Sequence, residues 1–241
     1  MSRQFWTELW YLLLFMAIGF VLILVLSLLA GNLSFLSAVT VMHLVQWGQN
    51  LLVFILPTLL WVRWYLKKPI SATLGLRKAP LKYYLIAIAL VLVVSFPMDW
   101  LAEWSKEALP LPEVFRQMAE DESKQQESIL QEMLSPSGFF GWMECILLMS
   151  VLTAIAEELV FRGAILSSFI RTGVNRHLTA ILVGLIFSII HFDLYGLIPR
   201  WILGTLFCYL YFWSGSLFPP ILAHALNNLL ALIQYKSGEL F

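Results

Sequence analysis

Five ionisable side chains interrupt stretches that are otherwise apolar. They are Glu157, Glu158 and Arg162 in AEELVFRG, His191 in FSIIH and His224 in AHALNN, with Asn228 four residues beyond His224. A carboxylate beside an imidazole is suited to holding a water and taking its proton. A His and an Asn spaced i, i+4 lie on one helical face and can together donate to an oxyanion. Glu158 and Arg162 have the same spacing and can ion-pair, which lowers the penalty for burying either. Glu157 is turned about 100° from Glu158 around a helix and is left free for another task. A Glu with two His is also a catalytic zinc set, so Glu157, His191 and His224 admit a metalloprotease reading. Against it, HExxH is missing from the sequence and Arg162 puts a cation beside the site. An isolated Glu–Arg pair or a single histidine in a membrane helix also serves as a structural strut. Together, in elements whose depths match, these residues point to a hydrated catalytic pocket.

The elements that must carry them are membrane helices. Of 241 residues, 60% are hydrophobic and 12% charged, with a net charge of zero. Soluble domains average roughly twice that charged fraction, and a neutral chain offers no bulk attraction to nucleic acid. Open sheets do not survive in lipid. The expectation is an all-α, polytopic integral membrane bundle of about seven transmembrane helices, one domain over 1–241, in the cell membrane. Cys145 and Cys208 are isolated in apolar stretches and read as small buried hydrophobes.

The spans read as Leu9–Ala30, too long for a cleaved signal and hence an anchor; Leu44–Val62, with a kink at Pro57; and Tyr83–Met98, closed by Pro97 and Asp99. The fourth runs from near Phe139 to about Ile170 and must tilt or protrude. RTGVNRH is a turn, the fifth span is Leu178–His191, and a loop holding Gly196, Pro199 and Arg200 follows. The charge-free run Trp201–Tyr235 is too long for one crossing, and SGSLFPP divides it into spans near 201–213 and 217–235. In the hairpin centred near Val174, Glu157 and His191 are each 17 residues from the turn and stand at one depth.

Residues 103–137 differ in kind. Glu103, Glu107, Glu113, Glu120, Asp121, Glu122, Glu127 and Glu132 outnumber Lys106, Arg116 and Lys124, while Val114, Phe115, Met118, Ile129, Leu130, Met133 and Leu134 keep helical spacing. This polar segment is expected as one or two surface helices or a solvated connector. His43 and His177 fall at span edges and read as interfacial.

EELVFR, FSIIH and HALNN, in that order on membrane spans, resemble the EExxxR, FxxxH and HxxxN motifs of the CAAX protease and bacteriocin-processing family, also called Abi. GSLFPPILAHALNNLL and LGLRKAP add to the likeness, which covers about 138–232 well. The resemblance implies an intramembrane glutamate-type endopeptidase without a metal or other cofactor. Its substrate would be a peptide or protein segment in or near the bilayer. In it Glu157 and His191 would activate water, His224 and Asn228 would stabilise the oxyanion, and Glu158 and Arg162 would support the motif. Phe187 would pack the cavity wall. A non-catalytic immunity protein that binds a toxic peptide and a transporter with a proton-relay carboxylate are the readings from other classes.

The basic residues Arg63, Lys67, Lys68, Arg77, Lys78 and Lys82, and the Arg171/Arg176 turn, fall on one side of a seven-span chain, expected to be cytoplasmic. Single cysteines at positions 175, 196 and 236 are expected to label from inside, outside and outside respectively. An impermeant thiol reagent on intact cells checks this.

Overall fold

A computed structural model describes residues 3–33, 35–108, 112–136 and 138–238. Among these residues every regular element is helical. The helices are α1 (Arg3–Gly31), α2 (Ala38–Leu66), α3 (Ile70–Leu74), α4 (Leu81–Ala108), α5 (Glu113–Met133), α6 (Gly138–Arg171), α7 (Arg176–Ile189), α8 (Leu197–Ser214) and α9 (Phe218–Ser237). Helices satisfy their own backbone groups, which is what a chain this apolar needs in lipid. By length and composition α1, α2 and α6 are each able to cross a bilayer, and α4 makes a fourth if its bent halves count as one span. The short α7, and α8 and α9 with their polar residues, fall outside that criterion. They pack along α6 and α4 nonetheless.

The principal core surrounds α6. Phe5 and Leu12 of α1, Trp61 and Val62 of α2, Leu74 of α3, and Val183 and Phe187 of α7 close around Leu159–Leu166 and Phe169. A second cluster joins Ala87 and Val91 of α4 to Leu203, Phe207 and Leu210 of α8 and Ala223 of α9. By contrast α1 exposes Leu13, Ile18, Phe20, Val21, Leu28 and Leu29, as a lipid-facing helix does.

Several local features differ from the sequence expectation. Pro97 does not close the third span. The chain continues helically to Ala108, bent by 42° between Leu81–Ser95 and Trp100–Glu107. A proline removes one hydrogen bond and kinks a helix without always ending it. At Pro57, α2 stays continuous. The preceding turn, Gln49–Ile55, is widened to π-type bonding, and Leu56 N–H donates to the Leu51 carbonyl, five residues back. Pro199 and Arg200 belong to the first turn of α8 instead of a loop. His43 is not interfacial. It is buried, with Nε2 2.9 Å from the Met133 carbonyl and Nδ1 3.1 Å from Glu144 Oε1. It therefore joins α2 to the end of α5 and to α6. The acidic segment holds one 21-residue helix, α5, largely exposed. His177 is exposed and bonds the Tyr209 hydroxyl at 2.7 Å.

Two connections set the helices that carry the site. Asn175 caps α7 by accepting from the His177 and Leu178 amides. The segment after α3 docks on the α8–α9 turn, where Arg77 Nε donates to the Gly215 carbonyl, Ser216 Oγ to the Arg77 carbonyl, and Leu217 N–H to the Gly75 carbonyl at 2.8 Å. That contact fixes where α9 begins.

α7 and α8 approach so closely that a Cβ on Gly184 would lie 2.4 Å from Thr205 Oγ1 and 2.7 Å from the Thr205 amide nitrogen. Small residues permit such close contact in membranes. Gly184→Val is expected to lower stability by about 1–3 kcal/mol, the usual range for overpacking, read by thermal unfolding in detergent. Gly31→Val, where nothing lies within 4 Å of an added Cβ, is the control expected to leave stability unchanged. The same geometry makes position 196 unsuitable for a labelling cysteine, since a Cβ there would sit 2.1 Å from Asp193 Oδ2. The neighbouring Phe192, exposed to 78%, is the better reporter.

Candidate active site

α6 is one 34-residue helix with two π-type stretches, Ile146–Leu152 and Leu159–Leu166, flanking the α-helical turns Thr153–Glu158. The hydroxyls of Thr153 and Ser167 reach the carbonyls five residues back, Leu148 and Arg162, in keeping with widened turns. π-type turns concentrate at functional sites in membrane and soluble proteins alike, and here they bracket the two glutamates.

Glu158 and Arg162 point inward and neither is accessible to solvent. Arg162 Nη1 donates to Glu158 Oε1 at 2.6 Å, and Nη2 donates to the Gly204 carbonyl of α8 at 2.7 Å. The guanidinium sits 4.9 Å from the ring centre of Phe187, 5.4 Å from Phe207 and 6.0 Å from Phe161. Aromatic faces attract a cation held out of water. Glu158 Oε1 also contacts His224 Nδ1 at 2.9 Å. Pairs from α6, α7, α8 and α9 thus converge on one ion pair.

Glu157 takes the other direction. Its Oε2 lies 3.6 Å from His224 Nε2 and 3.9 Å from His191 Nε2, with no protein hydrogen-bond partner of its own. His191 is not the last residue of α7, as expected, but sits in the turn beyond it. Its Nδ1 is 2.7 Å from the Phe187 carbonyl one turn back. A carbonyl only accepts, so Nδ1 carries the proton and Nε2 faces Glu157 as an acceptor in the neutral ring.

These groups open onto a cavity of about 520 Å³ whose lining includes Glu157, His191, His224, Asn228 and Phe187. Five of the seven residues expected from the sequence therefore share one wall, and Glu158 and Arg162 stand behind it. Asn228 lies one helical turn beyond His224, as the spacing requires. The expected pairing of Glu157 with His191 is present, but His224 is nearer to Glu157 and bridges both glutamates. Lining residues that sequence reasoning passed over include Thr153, Asp193, Arg200, Asn227 and Gln234. Arg200 had a signal: it is the last basic residue before Lys236 in an otherwise apolar stretch. Among the described residues, no three His, Cys, Asp or Glu side chains are set to hold a metal ion.

Residues 139–230 match the family model described as type II CAAX prenyl endopeptidase Rce1-like. Over that segment the chain is similar to the type II CAAX prenyl endopeptidases. The matched segment begins at α6 and ends within α9, so it contains all three motifs. No curated protein and no solved structure matches the chain. AEELVFRG, FSIIH and AHALNN all lie within the matched residues. The geometry adds that the second glutamate and the arginine form a sealed base for the first glutamate and the histidines.

Removing one partner of a fully buried ion pair leaves an uncompensated charge, at roughly 3–5 kcal/mol. Arg162→Met and Glu158→Gln are each expected to destabilise the fold by that order. The double variant should recover a substantial part of the loss. Unfolding midpoints of the three variants in one detergent check this, and strictly additive losses would contradict the paired arrangement.

Proposed function

We propose that this protein is an intramembrane endopeptidase in which Glu157 activates a water molecule. The observation that carries this reading is the position of Glu157 Oε2. It is enclosed, without a protein partner, on the wall of a large cavity, and two imidazoles stand 3.6 and 3.9 Å away.

A water held between Glu157 and His191 donates one hydrogen to the carboxylate and the other to the bare His191 Nε2. Glu157 takes the proton as the water oxygen attacks the scissile carbonyl carbon. Negative charge then forms on the carbonyl oxygen. With His224 Nδ1–H directed to Glu158, the imidazolium form of His224 presents Nε2–H to the cavity. That N–H and the Asn228 amide are the donors for the oxyanion. Collapse of the intermediate breaks the C–N bond, and Glu157 returns its proton to the departing amine. The products are a free carboxylate and a protonated amine: the amine takes the proton from Glu157 and then the water's second hydrogen by way of His191 Nε2, and the enzyme regains its starting protonation. Glu158 and Arg162 act through His224: the buried carboxylate fixes the ring orientation, and the arginine holds that carboxylate in place.

The substrate in this reading is a peptide or protein segment in or beside the bilayer. The family description makes a prenylated C-terminal segment the first to test. A secreted or bacteriocin-like peptide is the alternative within the same chemistry.

The test uses purified protein in lipid nanodiscs with a quenched fluorescent peptide ending in a farnesylated CAAX sequence. Glu157→Gln and His191→Ala are each expected to reduce cleavage about 10²- to 10⁴-fold, the contribution of general base catalysis, with unfolding midpoints near wild type. Cleavage that persists in Glu157→Gln would overturn the mechanism. Loss of cleavage on chelation, restored by zinc, would move Glu157, His191 and His224 to the metalloprotease reading. An immunity or transport phenotype that survives both substitutions would favour the non-catalytic classes.

A further inference from the structure

His191 contributes a ring nitrogen to the cavity from a turn and not from a helix, which raises the question of what holds it there. α7 ends at Ile189, and the residue after His191, Phe192, has a φ of 54°. A bulky residue in the left-handed region is strained and persists only where its surroundings enforce it. Hydrogen bonding on the helix side is limited to the end of α7: His191 N–H to Ser188, Phe192 N–H to Ile189, and the His191 ring to the Phe187 carbonyl. None of these prevents the turn from swinging relative to α8.

Asp193 and Arg200 do. Asp193 Oδ1 accepts from the Gly196 amide at 2.9 Å, and Oδ2 accepts from Arg200 Nη2 at 3.0 Å. Ser188 Oγ donates to the Leu197 carbonyl at 2.6 Å on the same side. The carboxylate therefore joins the His191 turn to the first turn of α8. Both side chains of the ion pair are about one-quarter exposed, at 25% and 27%, so the pair is neither a loose surface contact nor a sealed one. The glycine beneath it is an independent sign that the contact is built: a Cβ on Gly196 would come within 2.1 Å of Asp193 Oδ2 and 2.9 Å of Arg200 Nη1. Only a residue without a side chain allows the carboxylate and guanidinium to lie across this turn. Both residues also line the cavity that holds Glu157 and His191.

We propose that Asp193 and Arg200 are positioning residues: their ion pair clamps the turn after α7 to α8 and so fixes His191 Nε2 opposite Glu157. The catalytic consequence rests on the function proposed above. The structural consequence, a His191 ring whose order depends on a pair two and nine residues away, does not.

The experiment has two arms on the full chain in lipid nanodiscs. In the first, the rates of Asp193→Asn, Arg200→Gln, Arg200→Lys and the double variant Asp193→Asn/Arg200→Gln are measured with the farnesylated CAAX peptide. The clamp predicts kcat about 10²-fold lower in each neutral single variant, the usual effect of about 1 Å of misplacement, with KM within twofold and unfolding midpoints within a few degrees. Arg200→Lys should recover most of the rate, and the double variant should be no worse than either single one. In the second arm, nitrogen-15 spectra of the four histidines are recorded, with His191 assigned by its absence in His191→Gln. Here the wild type should show one sharp His191 ring with Nδ1 protonated, broadened in Asp193→Asn and Arg200→Gln, while His224 is unchanged. Unaltered His191 signals in both variants, or a rate loss that follows the unfolding midpoint, would overturn the clamp. If the wild type cleaves nothing, the endopeptidase reading fails on the first arm, and the second still decides whether the pair holds the ring.

Discussion

The structure depends on keeping one pair of charges away from both water and lipid. Glu158 and Arg162 have no solvent exposure. The penalty for removing each ion from water is several kcal/mol even after relaxation. Their mutual attraction offsets that penalty only when the remaining hydrogen-bonding capacity is also met. The Gly204 carbonyl, His224 Nδ1 and the three phenylalanine rings around the guanidinium supply most of those contacts, leaving Glu158 Oε2 and Arg162 Nε without a protein hydrogen-bond partner, so part of the penalty stays uncompensated. Each belongs to a particular helix, so satisfying one ion pair specifies how α7, α8 and α9 must sit against α6. Where α7 passes α8, Gly184 and Gly204 face each other, and a Cβ on Gly204 would lie 3.1 Å from Gly184 Cα.

Two adjacent glutamates are thereby given different environments. The turn of about 100° between neighbours on a helix sends Glu158 to the arginine and Glu157 to the cavity. A widened turn begins immediately after Glu158, at Leu159. His224 lies between the two carboxylates, with one ring nitrogen directed to each. In the proposed chemistry this arrangement lets a buried, cation-backed carboxylate orient an imidazole while its neighbour exchanges a proton with water. The helix positions three of the four groups rigidly. The fourth, His191, relies on a turn, and the proposed Asp193–Arg200 clamp gives that turn the rigidity a helix would have provided.

The likeness to the CAAX proteases lies in the segment from α6 into α9. The remaining helices have physical tasks that serve it. α1 and α2 cover the outer side of α6 through Phe5, Leu12, Trp61 and Val62. The segment between α3 and α4 holds the α8–α9 turn through Arg77, Ser216 and Leu217. α4 contributes Ser95, Met98 and Ala102, before, at and beyond its bend, to the cavity wall.

The sequence by itself determined the all-helical class, the grouping of Glu157, Glu158, Arg162, His191, His224 and Asn228, and the different directions the two glutamates take. Those follow from composition and from the 3.6-residue period, which are local. It did not determine that the helix continues past Pro97, that His43 is buried against Met133 and Glu144, or that His191 lies beyond the end of α7. Nor did it show that Arg200 belongs to the cavity. A proline signals a missing hydrogen bond but not whether neighbours support the bend. Likewise an edge histidine or a loop arginine carries no mark of the partner that another helix will bring to it. Those outcomes were decided by tertiary structure, because groups that satisfy a buried polar atom here can lie far along the chain, as Gly204 lies 42 residues from Arg162 and Met133 lies 90 from His43.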